Sequence, residues 1–99
     1  MTNGKSYHIL MAPSAHRKYK KFDALLKRRV QEEVRKVAKE PYHHRELKGP
    51  LKGIRSYHFE HEGKQYRIAY QILEDTNQIV IVLVKSRESF YKALWRILR

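Results

Sequence analysis

Five residues in the second half of the chain have side chains suited to phosphate chemistry: His58, Arg67, Lys85, Arg87 and Tyr91. Arg67 lies in the alternating segment QYRIAYQIL from Gln65, and the residues that share its parity, Ala69 and Gln71, are small or polar. A guanidinium held on a rigid strand can grip a phosphate through two parallel hydrogen bonds. His58 precedes it by nine residues, across a turn. In an antiparallel hairpin the two can share a face, and histidine is the side chain that exchanges a proton near neutral pH. Lys85, Arg87 and Tyr91 follow in VKSRESFY. A cation beside a tyrosine hydroxyl can stabilise a phosphorane-like transition state, and the ring can stack on a base. Each has an ordinary structural reading as well: a solvated strand arginine, an exposed strand histidine, a Tyr91 packed beside Trp95.

A second basic group sits in the loop RELKGPLKGIR, which offers Arg45, Lys48, Lys52 and Arg55 around two glycines. Such a loop suits phosphate tracking by RNA-binding cations, or simple solvation. It lacks the GxxxxGK[ST] cradle, so nucleoside triphosphate chemistry is not indicated. No metal and no cofactor are expected. His43 and His44 are adjacent, His58 and His61 point to opposite strand faces, and no run of carboxylates suggests a two-metal nuclease. The chain has no cysteine, which excludes disulfides, Cys-ligated zinc and thiol catalysis.

These side chains need a scaffold. Tyr7, Ile9 and Met11 alternate with His8 and Leu10 as a first strand, ended by Pro13. Ser14 is placed to cap a short basic helix carrying Ala15, Tyr19 and Phe22 at helical spacing, and Asp23 to cap a longer one with Leu26, Val30, Val34 and Val37 on one face. Pro41 stops that helix, and residues 41–53, with two prolines and two glycines, read as a loop. Strands are expected at Ile54–Glu60, Gln65–Leu73 and from Ile79, with turns at His61–Lys64 and Glu74–Gln78. The run IVIVLV suits a strand buried on both faces in the middle of a sheet. Ser89 is placed to cap a last helix with Phe90, Leu94 and Ile97 inward. The order β-α-α-β-β-β-α is an α+β fold: an N-terminal helical hairpin on one face of a mostly antiparallel four-stranded sheet. The other face is left open, with the last helix at an edge or docked elsewhere.

Ninety-nine residues make one domain, 1–99. With 41% apolar and 11% aromatic residues the chain can pack a core. The net charge is +12 and unevenly spread: residues 61–84 balance to −1, leaving +13 on the other 75. That field attracts polyanions, with RNA or DNA the first partner and an acidic protein the second. An anionic membrane fits less well, because the helices carry core faces rather than exposed apolar stripes. The longest apolar run is too short to cross a bilayer, and MTNGKSYH lacks the apolar stretch of a signal peptide, so a cytoplasmic protein is expected.

The pattern LKGPLKGIRSYHF, then QYRIAYQIL, then an apolar strand and a K-x-R-x-x-x-Y ending resembles the RelE/ParE superfamily of type II toxin–antitoxin toxins, and the RelE-like ribosome-dependent mRNA interferases in particular. The resemblance runs over nearly the whole chain. It implies that Arg67 contacts the scissile phosphate and that Tyr91 stacks on the substrate base or assists proton transfer. Lys85 falls where RelE has a catalytic arginine, Arg87 where a relative places a histidine, and His58 where relatives carry lysine or a catalytic histidine. Lys48 matches a basic residue of the preceding loop. Two departures stand out: Arg45 replaces a catalytic glutamate or histidine of some relatives, and Ser56 stands where RelE has lysine. A histidine-assisted site is thereby favoured over a charge-only one. The implied chemistry uses the RNA 2′-hydroxyl as nucleophile, so neither a metal nor a covalent group is needed. The implied partners are the ribosome, with its mRNA and ribosomal RNA, and a cognate antitoxin. A ParE-like inhibitor of DNA gyrase and a catalytically inactive nucleic-acid-binding protein are the alternatives on the same fold.

Overall fold

Proline is tolerated in the first turn of a helix, where its missing N–H would have had no partner. Pro13 therefore lets the chain pass from strand β1 (His8–Met11) directly into helix α1 (Pro13–Tyr19). The computed structural model describes residues 7–99, so most of the N-terminal segment read for a leader lies outside the described residues. Ala12, not Ser14, occupies the N-cap of α1 and makes no side-chain cap. Ser14 lies inside the helix, where its hydroxyl donates to the Val82 carbonyl at 3.0 Å and ties α1 to the sheet. Helix α2 (Ala24–Lys39) is capped as expected: the Asp23 carboxylate accepts from the Leu26 N–H at 2.8 Å. Its buried face is Leu26, Val30, Val34, Val37 and Ala38, together with Glu33.

The segment expected as a loop contains a short strand, β2 (Arg45–Glu46), between 3₁₀ turns at Pro41–His43 and Gly49–Leu51. It pairs with β3 (Arg55–His61), so the sheet has five strands rather than four. Two residues carry too little periodicity to be read, and what holds them is the Arg55 guanidinium. It donates to the His44 carbonyl at 2.6 Å and pairs with Glu46 at 3.7 Å. β3 turns into β4 (Lys64–Leu73) through Glu62 and Gly63, both at positive φ, as a two-residue type I′ hairpin requires. β5 (Gln78–Ser86) follows. The sheet order is β1-β5-β4-β3-β2, with β1 parallel to β5 and the remaining pairs antiparallel. The apolar run thus lies on an interior strand.

On one face, α1 and α2 close over Phe59, Ile68, Tyr70, Ile79, Ile81 and Val84. Two polar links, one buried and one half-buried, fix this layer. The Tyr57 hydroxyl donates to Glu33 at 2.5 Å, and the Tyr70 hydroxyl donates to the Pro41 carbonyl at 2.6 Å. The other face is not open. A register shift opposite Ala69 and Tyr70 makes Val82 an extra residue in β5, so Val82 and Leu83 both turn toward that side. With Ala69 they form a shallow apolar seat, and helix α3 (Phe90–Leu98) settles on it through Phe90 and Leu94, 1% and 0% exposed. Burial of two such side chains is worth about 1.5–3 kcal/mol each. Ser89 precedes α3 but does not cap it: at φ 55° it takes a left-handed turn and its side chain makes no cap bond. Among the described residues no helix is long and apolar enough to cross a membrane.

Candidate active site

Strand register decides which of the chemistry-bearing residues meet. His58 on β3 is the direct partner of Arg67 on β4, and Arg67 is the direct partner of Lys85 on β5. The three form one row across adjacent strands, with Cβ atoms of neighbours about 5 Å apart as in any antiparallel pair. They lie on the α3 side of the sheet, two residues along their strands from Ser56, Ala69 and Leu83.

Tyr91 comes to the row from the first turn of α3. Its ring centroid is 5.0 Å from the Arg67 guanidinium carbon, and it meets Phe90 edge-on at 5.4 Å. The left-handed turn at Ser89 sets the angle at which α3 enters and so where this ring points. Lys85 braces the connection: its Nζ donates to the Glu88 carbonyl at 2.5 Å. Both Tyr91 and His58 are exposed, and Arg67 and Lys85 are half-buried.

The electrostatics of the row are one-sided. Among the described residues neither Arg67 nor Lys85 takes part in an ion pair. Two cations directly opposite each other on a sheet repel, so the arrangement favours an anion between them. His58 responds to this field. Loss of water around the ring pushes its pKa below the ordinary histidine value, and the charges of Arg67 and Arg45 push it the same way. Both effects favour the neutral imidazole, the form able to accept a proton. Beside the row, two residues before His58 on β3, the Ser56 hydroxyl is buried without a hydrogen-bond partner.

The wider basic group divides. Arg45, on β2, is exposed and close enough to His58 to act on its titration. Lys48 and Lys52 are exposed on either side of the turn Gly49–Leu51. Arg87 is exposed just past β5, its N–H donating to the Gln65 carbonyl at 3.0 Å. Arg55 is set apart. It shares the parity of Tyr57 and Phe59, on the helical side of the sheet, and its guanidinium lies 5.1 Å from the Tyr42 ring besides its bonds to His44 and Glu46. Its side chain is used in holding β2. A further cluster, Arg17, Lys18, Lys21 and Lys64, lines a cleft that also takes in Lys85. Periodicity marks these four only as surface charge, because their approach to Lys85 depends on how α1 sits against β5. Among the described residues no three His, Asp or Glu side chains converge as metal ligands would.

The family model of ParE-like toxins of type II bacterial toxin–antitoxin systems matches residues 9–95. No curated protein matches the chain. Among solved structures, the chain is similar to the RelBE2 toxin–antitoxin complex of Mycobacterium tuberculosis: 24% identity over 88% of this chain and 98% of that one, with a TM-score of 0.72. It is also similar to the isolated RelE toxin of E. coli, at 19% identity over 94% and 100% of the two chains and a TM-score of 0.65. The archaeal RelE–RelB complex of Pyrococcus horikoshii gives 18% identity over 83% and 96%, with a TM-score of 0.53. At these identities the structural likeness establishes a shared fold, the α+β arrangement described above.

Proposed function

The chain belongs to the ParE-like toxins of type II bacterial toxin–antitoxin systems, and from that premise we propose that it is a metal-independent endoribonuclease that cuts mRNA on the ribosome. The row His58–Arg67–Lys85, with Tyr91 over Arg67, carries this reading. It offers an unpaired double cation for a phosphate, a neutral imidazole beside it, and an exposed aromatic ring for a base.

In the proposed reaction the 2′-oxygen attacks the adjacent phosphorus and the bond from phosphorus to the 5′-oxygen breaks. The products are a 2′,3′-cyclic phosphate and a 5′-hydroxyl. His58 takes the 2′-hydroxyl proton. Arg67 and Lys85 bear the charge that builds on the non-bridging oxygens. Tyr91 holds the base by stacking, and its hydroxyl or a water molecule supplies the proton to the leaving 5′-oxygen. Positioning and charge stabilisation account for the rate, because the substrate provides its own nucleophile. Arg45, Lys48, Lys52 and Arg87 contribute positive surface for ribosomal RNA and mRNA, and the cytoplasm is where that substrate is met. A cognate antitoxin is the proposed protein partner; the similar structures from M. tuberculosis and P. horikoshii are a toxin–antitoxin complex, RelBE2, and a RelE–RelB complex.

The second reading is a gyrase inhibitor without nuclease activity, favoured by the ParE-like family that the chain matches. The two separate in one experiment: pulse-labelling of protein and DNA synthesis after induction of wild type, Arg67→Ala and Tyr91→Ala, with mRNA 5′ ends mapped in the same cells. The nuclease halts translation and produces cuts that both variants lose. Failure of DNA synthesis with intact mRNA would transfer the reading to gyrase.

A further inference from the structure

A cleft of about 540 Å³ opens where α1 and the turn after it approach the β3–β4 hairpin and the upper end of β5. Its cations are Arg17, Lys18, Lys21, Lys64 and Lys85, and no carboxylate lines it. None of the five is in an ion pair among the described residues. Five unpaired positive charges around one concavity are a costly arrangement for a folded chain alone, and they mark a surface suited to a polyanion.

The cations and their position, more than the floor, argue for a phosphate-bearing ligand over an acidic amphipathic peptide. Leu26 and Val84 are buried in the core, and Phe22, Tyr66 and Ile97 are half-buried against it. The floor keeps apolar surface at these three residues, but around it Arg17, Lys18, Lys21 and Lys64 are long, exposed and outside any ion pair among the described residues. Lys85 supplies the direction. It belongs both to the cleft and to the row with Arg67, so a strand whose phosphate lies on Arg67 passes into the cleft without leaving positive surface.

We propose that this cleft is a second phosphate subsite, which holds the single-stranded RNA flanking the reacting phosphate, with Arg17, Lys18, Lys21 and Lys64 as its binding residues. The inference rests on the reading of the Arg67 row as a phosphate site. It adds a path for the strand, and it assigns a role to α1 that the reacting row does not require.

The test is an anisotropy titration of a fluorescent 2′-O-methyl RNA of about 12 nucleotides, which cannot be cut, over a range of KCl concentrations. The proteins are wild type, Lys18→Gln/Lys21→Gln/Lys64→Gln, the equally neutralised control Arg28→Gln/Arg35→Gln/Lys39→Gln, and Arg67→Ala. All six lysines and arginines of the two triple variants are exposed, so folding is not at stake. The cleft variant is expected to lower the slope of log K against log salt by about 2, at roughly 0.7 per phosphate contact, and to weaken binding on the order of tenfold to a hundredfold. The control should keep most of its slope. Equal losses in the two triple variants would overturn the proposal, since the cations would then act only as diffuse charge. Wild-type RNA binding by the cleft variant, with loss only of a poly-glutamate peptide, would overturn it in favour of a peptide site. Arg67→Ala reads the row separately. If it binds RNA as wild type does while the cleft variant is weakened, the cleft stands and the phosphate role of Arg67 falls.

Discussion

Arg67 and Lys85 face each other as a direct cross-strand pair, two cations on neighbouring strands with no acidic partner among the described residues. A pair of like charges in this position works against the fold, and an anion placed between them relieves the repulsion. Phosphate is therefore expected to raise the melting temperature of the wild type more than chloride at equal ionic strength. Binding to the folded state alone adds about 2.7 kcal/mol when the anion is at a hundred times its Kd. Arg67→Gln should lose this difference while melting no lower than the wild type in chloride. A variant that keeps the phosphate-specific rise would remove the row as the anion site.

If the proposed reaction holds, the pH profile of cleavage follows from His58. Its pKa is held below the ordinary histidine value by loss of water and then by Arg67 and Arg45. In the proposed reaction the base is the neutral imidazole, so activity should rise as pH climbs through this lowered pKa and level off above it. Arg45→Gln removes one of the repelling charges and should shift the acid limb to higher pH. Proton NMR of the His58 ring against pH checks both signs, and an unshifted titration in Arg45→Gln would separate the two residues.

The helical hairpin, the capped α2 and the interior strand were legible because each buries a periodic face: Leu26, Val30, Val34 and Val37 on the helix, and the continuous run from Ile79 on the strand. The shared face of His58 and Arg67 was legible too, since a two-residue turn fixes hairpin register. Three features were not. β2 is two residues held by Arg55, a contact with no periodicity. The seat of α3 depends on the extra residue Val82, and a bulge leaves no mark in an all-apolar run. Ser14 and Ser89 look alike as caps, yet α1 starts two residues early, at Pro13, and the turn before α3 places Ser89 in a left-handed conformation.

Glu33 is a buried carboxylate with three donors: Tyr57 at 2.5 Å, Arg29 at 2.8 Å and Lys36 at 3.1 Å. Burial alone would raise its pKa, but the hydrogen bonds from Tyr57, Arg29 and Lys36 outweigh it and the net shift is downward. A carboxyl with a depressed folded pKa adds stability that is present above its unfolded pKa, about 4.3, and is lost as pH falls through the folded value. Tyr57→Phe should cost about 1–2 kcal/mol at pH 7. It should also flatten the acid limb of a denaturation series run from pH 6 down to about 3. An unchanged limb would mean that Glu33 does not couple α2 to β3.

Tyr91 reaches the row only because α3 is seated by Phe90 and Leu94. Leu94 is fully buried against Ala69, Val82 and Leu83 and lies one turn from Tyr91. Leu94→Ala removes that contact, with an expected cost of about 2–5 kcal/mol. If α3 acts as one body with the site, RNA cleavage should fall further than the loss of folded protein explains, because the helix can lift from the sheet while the strands stay paired. Hydrogen exchange distinguishes the cases: amides of Phe90–Leu98 should lose protection in Leu94→Ala while those of β4 and β5 keep it. Leu98→Ala, near the exposed far end of the helix, should leave both protection and cleavage close to wild type. Equal loss of protection in α3 and the central strands would show that the helix is part of the cooperative core, and the drop in activity would then be a matter of stability alone.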